Sequence, residues 1–538
     1  MKKFTLLLST LLLLALSSIN SQSLAPYHPD DETSSESCTS IMVGKNASTD
    51  GSVMTAHSCD SNYRTWLTLE KRRKYNKGDM EPVRWWTLHN EEPWDNRNIE
   101  EKGKIPAIEE TYKYLNVAYP CLNEKQLAMG ETTTSGRREL RNIKGLFLIE
   151  ELERIALQRS SSARDAIKLM GELAQKYGYG DDGECLTVAD KKEVWHFEIY
   201  GSGPGEPSAL WVAQRIPDDH VGVSANIPRI GIVDFNDKDN FMYSHDLRDR
   251  AQKLGYWDGK EPFKFYKVVS TMKPFSIREY WVLSSLAPSL NLKYDADELP
   301  FSVKPDKKVS PQDVLAFYRA TYEGSEYDQV KNLAVEVPRR QRLDDGSIRE
   351  YTDTVYPVST FMPADMRTLL NKISPGVTDR IRTIAAIQCS YSWIAQLRDW
   401  LPDEVGGVVY FSFDNPAQSP RIPIYCGGTS LPESFYVCGQ HRYREDAAIW
   451  AFRETNRIST INWDKTRHLL EPEVTQFEQM MFELAPDVEE KAAELIKAGK
   501  VEEAQRVLDN HTANFASMTM KRWQQLKAPL WQIFARSM

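Results

Sequence analysis

The sequence predicts an α+β fold in which antiparallel sheets are covered by helices and closed by a helical C-terminal layer. Three observations predict it. Apolar runs come in hairpin pairs from residue 38 onward. Two helix-like stretches sit between those pairs. Beyond about residue 465 the composition is helix-forming throughout.

The first forty residues depart from this pattern. Lys2 and Lys3 precede an apolar run over 6–16, broken by Ser9 and Thr10, and Ser17, Ser18, Ser21 and Ser23 follow. This is the anatomy of a secretory signal peptide, assigned to residues 1–22. The run falls short of the ~20 apolar residues a membrane span needs, so no stable membrane anchor is predicted. Export places the protein in the periplasm or outside the cell. The stretch 24–37 is polar, acidic and Pro-containing, with no apolar periodicity, and reads as lying outside the fold.

The fold begins at Cys38. Ile41, Met42 and Val43 form an apolar run, Asp50-Gly51 is a hairpin signal, and a strand resumes over 52–56. Residues 138–159 read as a helix striped by Leu140, Ile143, Leu146, Phe147, Ile149 and Leu152. Ser162 caps a second helix over 163–177. After a turn at 178–183, residues 184–189 and 193–200 form a hairpin about Asp190-Lys191. Residues 210–216 and 220–227 are further strands. At the C-terminus, 471–484, 488–498, 502–508 and 512–534 read as helices, the last with Trp523, Leu526, Leu530 and Ile533 at core spacing.

Charge and motifs narrow the chemistry. Asp plus Glu (76) outnumber Lys plus Arg (67), giving a net charge of −9. That lacks the basic surplus of a nucleic-acid binder. There is no phosphate loop, no HExxH and no Cys-x-x-Cys, and the nine His residues are scattered. Gly201-Ser202-Gly203-Pro204-Gly205 reads as a loop. No metal and no cofactor are therefore predicted. The cysteines number seven, so in an exported protein at least one thiol is unpaired.

Cys38 stands where such a thiol has a use. An α-amine titrates near ~7.7–8.0 and a thiol near ~8.5. A cut between Ser37 and Cys38 puts both on one residue, so the amine can take the thiol proton without a separate histidine. The run Cys38-Thr39-Ser40-Ile41-Met42-Val43-Gly44-Lys45-Asn46-Ala47-Ser48-Thr49-Asp50-Gly51-Ser52 resembles the mature N-terminus of the dipeptidase A family, cysteine peptidases of the N-terminal-nucleophile hydrolase superfamily. Further segments carry the resemblance over roughly 38–430. Asp60 in His57-Ser58-Cys59-Asp60 matches an Asp that follows an Arg in related amidases, and His57 stands where that Arg would be. Asn123-Glu124 and Gly130-Glu131-Thr132 look like paired family segments. Asn226 ends a strand as a site Asn does. Tyr322-Glu323-Gly324-Ser325-Glu326-Tyr327-Asp328 resembles a Glu-Gly-Thr-x-x-Asp segment with Ser325 for Thr, and residues 389–426 resemble later family strands.

The resemblance implies a four-layer αββα sandwich over 38–465, a helical extension over 466–538, and a propeptide over 23–37. It implies an exported cysteine dipeptidase acting on small peptides without a cofactor. Cys38 is then the nucleophile, Asp60 orients the new ammonium, Asn123 and Asn226 serve the oxyanion, and His57 binds substrate. The residues alone also allow plainer roles: a turn for Asn123, a strand end before Pro228 for Asn226, packing for His57. Two other functions stay open, an acylase or amidase of N-acyl amides and a non-catalytic exported binding protein. The oligomeric state is open, a homo-oligomer included.

Overall fold

Cys38 leads into the strand Thr39–Val43 (β1), which turns back as Val53–Cys59 (β2) in antiparallel register, Thr39 opposite Ser58 and Val43 opposite Met54. Every residue of both strands is buried, so neither shows the alternation of a half-exposed strand. The computed structural model describes residues 38–91, 98–134 and 136–535. The assigned signal peptide, 1–22, and propeptide, 23–37, lie outside the described residues.

The hairpin sits mid-sheet. Seven strands run in the order Ser302–Val303, Val221–Ser224, β1, β2, Tyr391–Leu397, Gly407–Phe413, Ile422–Tyr425. A second sheet of eight strands is built on Ala128–Thr134, Gly183–Ala189, Val194–Gly201 and Ala209–Ile216. Both are antiparallel. Side chains join them face to face: Thr55 bonds Thr187 at 2.6 Å, and Thr132 bonds Ser224 at 2.6 Å. Gly130 lies against His57, where an added Cβ would come within 2.9 Å of the His57 Cβ. Helices Ile149–Arg159 and Ala163–Tyr177 pack beside the second sheet, and Ala448–Thr460 and Val501–Ala535 against the first. The chain is thus mixed α and β, with antiparallel sheets and a helical C-terminal region.

Local chemistry explains most boundaries. Ser162 caps its helix by accepting from Asp165 N–H, as the sequence indicates. The hairpin about Asp190-Lys191 forms with Val194 opposite Ala189, and Asp190 Oδ1 accepts the turn's N–H groups from Lys192 and Glu193.

Two expectations are corrected. Residues 138–159 are not one helix; a 3-10 turn at Arg138–Leu140 is separated from the α-helix Ile149–Arg159. Asn142 turns the chain, donating to Gly203 and Gly205 carbonyls, and the Leu146 N–H pairs with Tyr177 and Gly178. Gly145 lies so close to the Tyr179 backbone that a Cβ would clash at 2.4 Å. These long-range backbone bonds override the apolar spacing, and Ile143, placed on the stripe, is exposed. At the C-terminus, the four predicted segments fuse into two helices, Trp463–Lys497 and Val501–Ala535. The first runs across the 465/466 boundary and continues through Pro486; the stop is Gly499, whose φ of 74° is a left-handed cap. Lys500 N–H bonds back to the Leu495 carbonyl there. No helix among the described residues is long and apolar enough to cross a membrane.

Candidate active site

Cys38 is buried in front of β1. Continuing the β1/β2 register sets it opposite Cys59, and Cys59 in turn faces Tyr391. Side chains of opposed residues share a face, so Cys38, Cys59 and His57 project toward the second sheet. One donor atom from each, the two sulfurs and a ring nitrogen, all lie within 4.8 Å of one another. The Cys38 thiol is held well above its ordinary range, first by its hydrogen bond with Cys59, then by burial and the nearby Glu131 carboxylate. Burial pushes Cys59 up to about 11. With the peptide bond to Ser37 intact, the thiol is protonated and a weak nucleophile.

His57 is boxed by Tyr119, Tyr391 and Trp393, with ring centroids 6.1, 5.9 and 5.7 Å away. Burial lowers it to about 3, against a weaker opposing pull from the Glu131 backbone. Neither ring nitrogen makes a hydrogen bond of normal geometry. A ring this hard to protonate is a poor general base.

Beside Cys38, the other predicted groups meet through two arginines. Arg278, on the helix Ile277–Leu286, is buried and binds four acceptors: the Cys38 carbonyl at 2.6 Å, Thr39 Oγ1 at 3.1 Å, and the Ala225 carbonyl and Asn226 Oδ1 at 2.9 Å each. Burial brings its guanidinium down to about 10. Asn226 takes a left-handed φ of 64° just past its strand and donates from Nδ2 to the Thr133 carbonyl at 2.6 Å. That leaves its amide with a second N–H. Asp60 is fully buried. Its Oδ2 accepts from Ser58 at 2.8 Å and from Arg382 at 2.7 Å, while its Oδ1 makes no hydrogen bond of normal geometry beside the Cys389 thiol. Ser58 Oγ also accepts the Thr39 N–H at 3.1 Å. Asp60 is thereby linked to the start of β1.

Asn123 is placed differently. Its Nδ2 donates to the Leu157 and Ser160 carbonyls at 2.8 and 2.9 Å, and its Oδ1 accepts from Lys125 and Leu127 N–H. Both N–H bonds and both lone pairs are used. It ties a tight turn in the second sheet to the end of the helix Ile149–Arg159, and has no donor left for an oxyanion.

Arg278, Arg382, Ser58 and Cys59 were not singled out in the sequence. A lone Arg distant in the chain carries no spacing signal. The Cys59 pairing depends on a register set by the nine-residue link 44–52. All seven cysteines are free thiols.

Cys38 thus heads the central hairpin as a buried thiol, with an acid and an amide tied to its strand. The chain belongs to peptidase family C69, whose profile matches residues 37–475; this bears out the resemblance to dipeptidase-type cysteine peptidases. Among its relatives, a probable dipeptidase of Latilactobacillus sakei is 26% identical over 426 residues, 75% of this chain and 77% of that protein. Dipeptidase A of Lactobacillus helveticus is 22% identical over 446 residues, 79% and 82% respectively. A probable dipeptidase of Salmonella dublin is 26% identical over 406 residues, 72% and 81%.

Proposed function

We propose that this chain is an exported cysteine dipeptidase of the N-terminal-nucleophile type, made active by cleavage between Ser37 and Cys38. The carrying observation is the setting of Cys38: immediately before a central strand, its carbonyl held by Arg278, with Asp60 Oδ1 buried and without a normal hydrogen bond nearby. The family match starts one residue earlier, at 37. The two facing sheets with helices beside each are consistent with the αββα sandwich of that superfamily. Residues 1–22 and 23–37 are the signal peptide and propeptide of this proposal, 38–465 the hydrolase and 466–538 its helical extension.

The chemistry follows from the residues. Cleavage turns the Cys38 amide into an amine, which removes the thiol proton. His57, held near 3, does not compete for that role. Asp60 holds the ammonium in place. The thiolate attacks the dipeptide carbonyl, and the second N–H of Asn226 joins backbone N–H groups in binding the oxyanion. The ammonium protonates the leaving amine, the C–N bond breaks, and water releases the acyl group from the thioester. Asn123 stays structural.

Cys38→Ala is expected to abolish hydrolysis of free dipeptides and cleavage before residue 38. Full turnover in that variant would overturn the proposal. Preference for N-acyl amides over unblocked dipeptides would move the enzyme to the acylase alternative, with the same nucleophile.

A further inference from the structure

We infer that the mature active site is also an inhibitory site for a thiophilic divalent cation such as Zn²⁺, bound by Cys38, Cys59 and His57. The inference rests on the proposed release of the Cys38 amine for its fourth ligand. Cys38 stands just before β1 and the other two on β2, all on the face turned toward the second sheet. Their donor atoms lie within 4.8 Å of one another. A tetrahedral zinc ion with bonds of about 2.0–2.3 Å holds its donors roughly 3.3–3.8 Å apart, so small side-chain rotations close the set.

Two further features favour a cation there. Both His57 nitrogens are buried without a hydrogen bond of normal geometry, so binding gives up at most a weak contact with the Glu131 backbone. The Asp60 and Glu131 carboxylates face Cys38 and offset the Arg278 and Arg382 charges. Freed at its N-terminus, Cys38 offers nitrogen and sulfur to one metal in a five-membered chelate ring. Cys59 sulfur and a His57 nitrogen complete an N₂S₂ set. Two thiol protons leave as the metal binds, and no oxidant is involved. The metal occupies both the nucleophile and its base, so the bound enzyme is silent.

The test is titration of the mature enzyme with Zn²⁺ against dipeptide turnover, and with Co²⁺ under anaerobic conditions against the absorption spectrum. One Zn²⁺ per chain should stop turnover, with full recovery on adding a chelator. One Co²⁺ per chain should give tetrahedral bands and sulfur-to-metal charge transfer. Cys59→Ser should halve the charge-transfer intensity and raise the half-inhibiting Zn²⁺ concentration by at least ~10-fold, since even outer-shell partners cost that much. Unchanged titrations in Cys59→Ser overturn the inference. So does full turnover of the wild type in excess Zn²⁺. Zn²⁺ should also protect Cys38 and Cys59 from alkylation in the wild-type protein, a readout that needs no variant to fold; unprotected thiols would count against the site. Persistent activity in Cys38→Ala would instead remove the catalytic proposal, and the cobalt spectrum would still report on the metal site.

Discussion

Arg278 gives the sharpest energetic prediction. Its guanidinium reaches four acceptors at the head of β1, two of them the backbone carbonyls of Cys38 and Ala225. In Arg278→Met the buried space stays filled but those carbonyls lose a charged donor. A buried acceptor left unpaired costs ~1–3 kcal/mol, so two cost roughly 2–6 kcal/mol. Met carries no charge to desolvate, which returns part of this. The net expectation is a loss of about 2–4 kcal/mol. Thr39 and Asn226 can turn to other partners and add little. Because Arg278 fixes the Cys38 carbonyl, the proposed nucleophile also loses its register with Asn226. Misplacement on the order of 1 Å costs ~100-fold, so kcat should fall about 10- to 100-fold with a smaller change in KM. Urea unfolding gives the first number and saturating dipeptide kinetics the second. Arg278→Lys, which keeps the charge but not the fork, should recover part of the stability and little of kcat. A stability loss below ~1 kcal/mol together with wild-type kcat in Arg278→Met would refute the reasoning.

Asn123→Ala should destabilise the protein by about 2–4 kcal/mol, because its amide closes four bonds, three of them buried. The folded fraction should keep kcat within ~3-fold, under 1 kcal/mol of barrier; a ~100-fold kcat loss at normal stability would make it an oxyanion donor after all. His57 predicts a pH signature. Its pKa is about 3 folded and near 6.5 in the free side chain, so the unfolded chain takes up the proton first. Its stabilising contribution is full above pH 6.5 and is lost as pH falls toward 3, at up to ~1.4 kcal/mol per pH unit. His57→Phe should remove that component from urea midpoints measured between pH 7 and 5. Equal slopes in variant and wild type would contradict a neutral buried His57.

Much of the scaffold was legible because it is locally coded. Ser162 with Asp165 caps a helix, Asp190 makes a turn, and the apolar run after Cys38 makes a strand. What was misread depends on distant partners. Residues 138–148 carry a helical stripe, but the Tyr177–Gly180 backbone captures them first. A two-residue turn at Asp50-Gly51 would pair 49 with 52, and so 38 with 63. The longer link pairs 38 with 59 instead, which is what brings two thiols and His57 together. Cys38, Asp60 and Asn226, the residues of the proposed site, stand in short motifs resembling a family. Arg278 and Arg382 do not, because each acts across more than 150 residues of chain and leaves no periodic trace. Asn123 matched a motif whose amide the fold uses for its own turn.

The most direct measurement is the N-terminal sequence of the active enzyme, read with its intact mass. The account predicts a chain beginning at Cys38, with activity appearing as residues 23–37 are lost. A fully active chain that still carries Ser37 joined to Cys38 would contradict it, because the amine that is to take the thiol proton would still be an amide.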